Sequence, residues 1–283
     1  VQGGWPLGVL LASAFVAIFL PLVGWRGCFL LAVFPAIVIA LARRGLKESP
    51  QFELEMQLRK LRKQGQVEQA AALAKEYGVN EQPSAPLAAI FRGRALRTTL
   101  VLSAAWLFNW CGTLVFVVLG TTVLTEGKHV SFAGSLAMLI VSNAVGYLGY
   151  VAHGWVGDRI DRRIVIAVGW LLSGVMFTLT LTVANGTFAV VTLYSLGMFF
   201  QVGPYAPLLF YMGECYETHC RATGIAFLNA LGQPGAILAG AITTAMLASG
   251  LSWNQAALSV GAVGIFASGL MMFGTRKASV LEG

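Results

Sequence analysis

Residues 154–163 read G-W-V-G-D-R-I-D-R-R, with two aspartates and three arginines crowded into the last six positions. Long apolar runs flank the stretch on both sides, so the chain around it explains what this burst of charge is for. The 283 residues are 57% hydrophobic and only 11% charged, and the mean hydropathy is +0.74. Soluble domains carry about 25% charged residues, so packing in water does not account for this composition. A bilayer core about 30 Å thick takes roughly 20 apolar residues per helical crossing. Eight runs qualify, near 4–22, 28–42, 98–120, 132–152, 164–184, 188–212, 222–248 and 254–275, the second of them the shortest. The expected fold is an all-α polytopic membrane protein with eight transmembrane helices, and GWVGDRIDRR falls between two of them as a tight loop.

Net charge is +7, but its placement argues against a nucleic-acid partner. Of the 19 Lys and Arg, 11 lie between Arg43 and Arg97, three within 159–163, one at Arg221 and two at 276–277. Strict alternation of eight crossings puts these on one side of the membrane and leaves only Arg26 and Lys128 on the other. That asymmetry is the positive-inside pattern, and it places both ends of the chain in the cytoplasm, with the plasma (inner) membrane as the expected location. Cys215 and Cys220 then fall on a cytoplasmic loop, where thiols stay reduced. With His219 they lack the paired spacing of structural zinc sites, so no metal site is expected. The start, VQGGWPLGV, has neither Met nor a basic region ahead of a cleavage site, and reads as a fragment beginning at the edge of a crossing.

The organisation expected is 1–42, two helices; 43–97, a charged cytoplasmic segment; and 98–283, six helices. In the middle segment Ser49 and Pro50 suit a helix start. Phe52, Met56, Leu58 and Leu61 supply an apolar stripe, Glu55 and Arg59 an i, i+4 pair, and Gly65 a stop. A second short helix, VEQAAALAKEY, follows and is closed by Gly78, and NEQPSAP reads as a linker. The segment is too small to bury a core of its own and is expected to lie against the cytoplasmic face.

Within the loop, Gly154 and Gly157 permit the turn, and Asp161 suits the N-cap of the next helix. Arg159, Arg162 and Arg163 hold the loop on the cytoplasmic side, while Asp158 needs a cationic or helix N-terminal partner. Spacing alone leaves open whether the stretch is a topology anchor or a working part.

These residues resemble the loop signature of the major facilitator superfamily, G-x-x-[GA]-D-[RK]-x-G-[RK]-[RK], with Asp161 where that family usually has glycine. GWRGCF (24–29) resembles the W-R-x-x-F turn of its sugar-porter and metabolite:proton symporter branch, and ESPQF (48–52) the E-S-P-x-F that follows. QVGPYAPLLFYMGECYETHCRATG (201–224) resembles its G-P…E-x-[FY]-P-T-x-x-R-A-x-G stretch through Gly203, Pro204, Glu214, Tyr216, Arg221 and Gly224, with Glu217 replacing the usual proline. The resemblance implies twelve crossings, of which these eight correspond to the fifth to twelfth. It also implies alternating access about a central cavity, and a cytoplasmic latch with Asp158 as its carboxylate and the three arginines in support. Glu214 and Arg221 belong to the matching loop.

Polar side chains inside apolar crossings mark the candidate substrate site. They are Asn109 with Trp110 (and Trp106 beside them), Asn143 with Tyr147, Gln201 with Tyr205 around Gly203-Pro204, and Asn229 with Gln233 ahead of Pro234. For each, interhelical packing or a structural kink is the competing reading, and small residues such as Ser142, Gly146, Ala226 and Ala230 read as helix-packing positions. All twelve Asp and Glu lie outside the apolar centres, and His153 sits beside the loop. A proton-coupling carboxylate is therefore expected in crossings not represented here. The sequence holds no nucleophile–base pair, metal cluster or phosphate-binding loop, so an enzyme and a cofactor are not expected. The reading is a secondary active transporter of a small polar metabolite, an organic acid or sugar, with a proton as co-substrate. A uniporter or a non-transporting membrane sensor on the same fold is the alternative.

Overall fold

A computed structural model describes residues 4–43, 50–77, 86–217 and 220–275. Every regular element among them is helical, and seven helices are long and apolar enough to cross a membrane. The chain forms two compact units, Val1–Ile18 with Pro86–Gly283, and Phe19–Ala85.

The count of seven differs from the eight runs because the first two lie in one stretch. Helix α1 covers Gly4–Arg43, and Gly24 interrupts it with φ 67 and ψ 176. The 37 apolar residues Leu7–Arg43 would extend about 55 Å as straight helix, nearly twice a bilayer core. The left-handed glycine falls where the W-R turn was expected, so the two runs are two helical pieces meeting at Gly24. Side chains from Leu22 to Leu41 are exposed almost throughout, with Cys28 buried among them.

Helices α2 (Pro50–Lys63) and α3 (Val67–Glu76) follow. Gly65 (φ 75) ends the first as expected, with the Gln66 N–H on the Leu61 carbonyl at 3.0 Å, a Schellman-type stop. Leu58, Ala70 and Ala74 are buried together, with Leu54, Leu61 and Leu73 packed around them. The segment thus does bury a small core, between its own two helices. Its stripe runs through Leu54, Leu58 and Leu61, since 3.6-residue periodicity turns Met56 outward, where it is 58% exposed. The side chains of Phe52, Glu55 and Arg59, the Ser49 cap and the Gly78 stop lie outside the description.

Six of the seven membrane-length helices lie wholly in the larger unit. A short α4 (Pro86–Ala89) leads into α5 (Gly93–Gly112), which continues as a π-helical stretch, Thr113–Val118. A short α6 (Gly120–Thr122) follows. Then come α7 (Phe132–Gly157), α8 (Arg162–Thr182), α9 (Thr187–Val202) and α10 (Tyr205–Glu214). The bundle is completed by α11 (Arg221–Ala230), α12 (Gly232–Ala248), α13 (Trp253–Ala256) and α14 (Val263–Phe273). Helix α9 packs on α7 and α8, α14 on α5 and α8, and α12 on α5. Trp170, Tyr194, Tyr211, Phe116 and Phe177 fill the interior, Phe116 stacked on Phe177 with centroids 3.9 Å apart. The π-helical turns free carbonyls that an α-helix would use, and the Tyr194 hydroxyl donates to the backbone carbonyl oxygen of Phe116.

Lipid tails are as apolar as leucine, so helices in a bilayer associate through small residues and interhelical hydrogen bonds. The α7–α9 seam follows this rule: Ser142 and Ser195 share a hydrogen bond at 3.0 Å, and Gly146 lies against Met198 and Val202. Ala226 and Ala230, expected to pack likewise, are exposed instead, because no other described helix covers that face of α11. Gly203 sits at the break between α9 and α10. A β-carbon there would overlap His153 Nδ1 and lie 2.8 Å from the Gly149 carbonyl oxygen. Gly203→Ala is expected to pry α7 from α9 and cost about 1–3 kcal/mol, read as a lower melting temperature in detergent with unchanged helix content. An unshifted melt would show that the seam has slack.

Candidate functional site

Asn109, Gln201 and Tyr205, singled out separately, come together. Asn109 lies on α5, whose next turn carries Thr113; Gln201 ends α9, and Tyr205 opens α10 after the Gly203-Pro204 break. The Tyr205 hydroxyl donates to Asn109 Oδ1 at 2.7 Å and shares a hydrogen bond with the Thr113 hydroxyl at 2.8 Å. Gln201 Nε2 reaches Thr113 Oγ1 at 3.3 Å and Asn109 Oδ1 at 3.4 Å. On α8, Ser173 Oγ lies 3.2 Å from Gln201 Oε1 and 3.0 Å from the Gly197 carbonyl oxygen. Asn109, Thr113, Ser173 and Gln201 are all buried, and Tyr205 is half-buried. Such a network is the form in which a bilayer interior tolerates polar groups.

Aromatic rings surround it. Trp106 and Trp170 meet the Tyr205 ring edge-on at 5.4 and 6.4 Å, and Trp110 meets Trp106 at 6.2 Å. Asn109 Nδ2 and the indole nitrogens of Trp106, Trp110 and Trp170 are buried without a hydrogen-bond partner. A buried unpaired donor costs about 1–3 kcal/mol, so four in one neighbourhood are costly to leave unmet. Thr113, Ser173 and Trp170 were not anticipated from sequence. Hydroxyls in apolar helices commonly bond back to their own backbone, as Thr113 does to the Asn109 carbonyl oxygen at 3.1 Å, and a lone tryptophan reads as core.

The remaining candidates stand apart. Asn143 is buried but donates to its own helix, at 2.8 Å from the Leu139 carbonyl oxygen. Tyr147, one turn on, is exposed, as are Asn229 and Gln233. Asn229 also bonds back to its own helix, to Ile225 O at 3.0 Å. With Ala226 and Ala230, the last two form a small, polar face on α11–α12 that no other described helix covers. His153 is buried, its Nδ1 2.8 Å from the Gly149 carbonyl oxygen and its ring between Phe199 and Phe200.

At the loop, Asp161 caps α8 as expected, accepting from the Arg163 N–H at 3.0 Å. Its backbone (φ −54, ψ 113) is ordinary, so the departure from glycine costs nothing here. Arg162 is the hub: it pairs with Glu214 at the end of α10 and with Asp158 at 3.1 Å. Arg163 reaches Asp161 at 3.5 Å and donates to the Thr275 carbonyl at 2.8 Å. Arg159 covers the Trp155 ring at 3.7 Å. Gly157 packs on Pro207, Gly154 on Ala206, and Arg221 Nε reaches the Tyr216 carbonyl at 3.5 Å. The Asp158 side chain is 68% exposed, so its pairing is worth about 0–1 kcal/mol. The partly buried Arg162–Glu214 pair therefore carries more of the α7–α8–α10 connection than the aspartate expected to lead it.

This sequence of membrane helices, interior polar network and charged loop defines a facilitator-type membrane transport fold. The chain matches the sugar (and other) transporter family over residues 1–277, and it belongs to that family, within the major facilitator superfamily. It is similar to the benzoate transport protein of Acinetobacter baylyi, 26% identical over 92% of this chain and 58% of the relative. It is also similar to the niacin transporter of the same organism, 24% identical over 90% of this chain and 59% of the relative. The 4-hydroxybenzoate transporter of Pseudomonas aeruginosa is 28% identical over 89% of this chain and 57% of its own length. The chain thus spans nearly three fifths of the relatives it matches.

Cys215 follows α10 and Cys220 precedes α11, and His219 falls outside the described residues. Burial pushes the Cys215 thiol up to about 11 and raises that of Cys220. The protonated form dominates at neutral pH, and thiolate at Cys215 should be about a hundredfold scarcer than at an ordinary cysteine. Maleimide labelling followed by peptide mass spectrometry should find Cys215 slow at pH 7.5, its rate still climbing above pH 9. Rapid labelling at neutral pH would contradict that burial.

Proposed function

We propose that this chain is the greater part of a secondary active transporter that carries a small organic acid across the plasma membrane by alternating access. The observation that carries the reading is the buried Asn109–Thr113–Gln201–Tyr205 network inside an apolar bundle, ringed by tryptophans and adjoined by a break in the α9–α10 crossing. Intramembrane polarity of this kind is costly and marks a pathway, and helix breaks in transporters line substrate sites. The relatives' named substrates are benzoate, niacin and 4-hydroxybenzoate, which favours an aromatic acid over a sugar. Trp106, Asn109, Gln201 and Tyr205 are the proposed substrate contacts, while the Trp110 ring packs against Gly232 of α12. Tyr147, Asn229 and Gln233 mark faces turned toward the rest of the pathway, and Asn143 has a structural role.

Coupling is proposed to be to protons. Among the described residues no Asp or Glu lies in the central part of a membrane helix, so this bundle supplies substrate contacts rather than the coupling carboxylate. The 154–163 loop, facing the cytoplasm, acts as the latch of the resting state through Arg162, Glu214 and Asp158.

Uptake into proteoliposomes of labelled benzoate, 4-hydroxybenzoate, nicotinate and glucose, with and without an inward proton gradient, tests the reading. Gradient-stimulated uptake of an aromatic acid is expected. Uptake of glucose alone would refute the substrate class, and indifference to the gradient would refute the coupling. The latch makes a separate prediction. Arg162→Gln should slow turnover about tenfold or more with little change in KM, since it removes both pairings at once. Asp158→Asn should cost about threefold or less. Equal effects of the two changes would return the leading role to Asp158.

A further inference from the structure

Three side chains that carry unpartnered N–H groups meet at Tyr205. Trp106 and Trp170 flank Tyr205, whose hydroxyl holds Asn109 Oδ1 at 2.7 Å and so leaves the Asn109 NH₂ unpaired. All three side chains are more than nine-tenths buried, at 7%, 0% and 0% exposure for Trp106, Trp170 and Asn109. Trp110 does not belong to the set: its indole nitrogen presses on Gly232, where a β-carbon would overlap it, so that ring seats α12.

The side-chain acceptors nearby are already engaged. Asn109 Oδ1 takes Tyr205 and Gln201, and Gln201 Oε1 faces Ser173. An indole can only donate, and so can an amide NH₂. The neighbourhood therefore has donors in surplus, and natural proteins rarely leave buried donors unmet. A sugar hydroxyl resolves such a surplus less well, because with its two acceptor sites it brings one more donor. A carboxylate brings none: it is acceptor-only, with room for about four hydrogen bonds on two oxygens. Hydrogen bonds from neutral N–H groups to an ionised oxygen are stronger than neutral pairs. Such a group could thus be held where the described helices place no Lys or Arg in mid-membrane.

We infer that Trp106, Asn109 and Trp170 are the specificity-determining donors for the substrate's carboxylate, with the Tyr205 ring as the surface against which its aromatic ring lies. The inference rests on the organic-acid reading above and adds the group recognised and the atoms that recognise it. Tyr205 acts here as a positioning residue as well, because its hydroxyl fixes which end of the Asn109 amide is free.

The test uses Trp106→Phe and Trp170→Phe, which keep a ring and remove the N–H. In proteoliposomes, the KM for benzoate and the inhibition of benzoate uptake by benzamide are measured for each variant. Each variant should raise the benzoate KM about tenfold or more, while inhibition by benzamide, which brings donors of its own, shifts less than about threefold. Unchanged benzoate KM in both variants, or equal losses for the two compounds, would overturn the assignment. Equal losses would mean that the tryptophans serve packing alone. Wild-type protein that takes up no aromatic acid would instead sink the functional reading on which this one rests. Melting temperatures establish folding, and Trp106→Phe, at the less enclosed edge of the cluster, decides the matter if Trp170→Phe does not fold.

Discussion

A single amide oxygen, Asn109 Oδ1, organises the interior of the bundle. Tyr205 and Gln201 donate to it from α10 and α9, and Thr113 lies within reach from the next turn of its own helix. Water is scarce at this depth, so these groups satisfy one another or go unsatisfied. That constraint ties α5 to the α9–α10 break, and through Ser173 it reaches α8. Removing the amide would leave a tyrosine, a glutamine and a threonine competing for partners in an apolar surround, a situation that destabilises more than the loss of one hydrogen bond.

The same economy explains how the bundle is built at its two levels. In the membrane interior, close helix approach comes from small residues at the α7–α9 seam and from Gly203 beneath His153, since burial of apolar surface drives little association in lipid. At the charged end the connection is electrostatic and partly wet. Arg162 joins the end of α7 to the end of α10, and Asp161 fastens the start of α8. An element held by a few charge pairs between rigid helices is suited to switching, because its pairings can be exchanged without repacking a core.

Much of this was readable from residue pattern. Apolar run lengths placed the crossings, and the residue types of GWVGDRIDRR placed a capped, arginine-rich turn between two of them. The first two runs fused into α1 because run length cannot distinguish a turn from a single left-handed glycine. In the second unit, Met56 lost its place to Leu54 because spacing from an assumed start shifts the buried face by part of a turn. At the site, intramembrane Asn, Gln and Tyr were conspicuous because polarity there is costly. Their convergence was not, since it depends on how α5, α8 and α10 cross. Asn143 and Tyr147 share a helix face by spacing, yet one is buried and bonded to its own backbone while the other is exposed. Only the neighbours decide such cases. Trp170 drew no notice because a tryptophan among valines and leucines reads as filling, and its unpaired N–H is visible only in three dimensions.

The most direct measurement is the structure of the protein with benzoate bound, by cryo-electron microscopy at a resolution that places the carboxylate. Ligand density is expected beside the Tyr205 ring, with carboxylate oxygens in hydrogen-bond reach of Asn109 Nδ2 and the indole nitrogens of Trp106 and Trp170. Benzoate seated on the Tyr147, Asn229 and Gln233 faces, with Asn109 and the two tryptophans bonded only to water or to protein, would contradict that expectation.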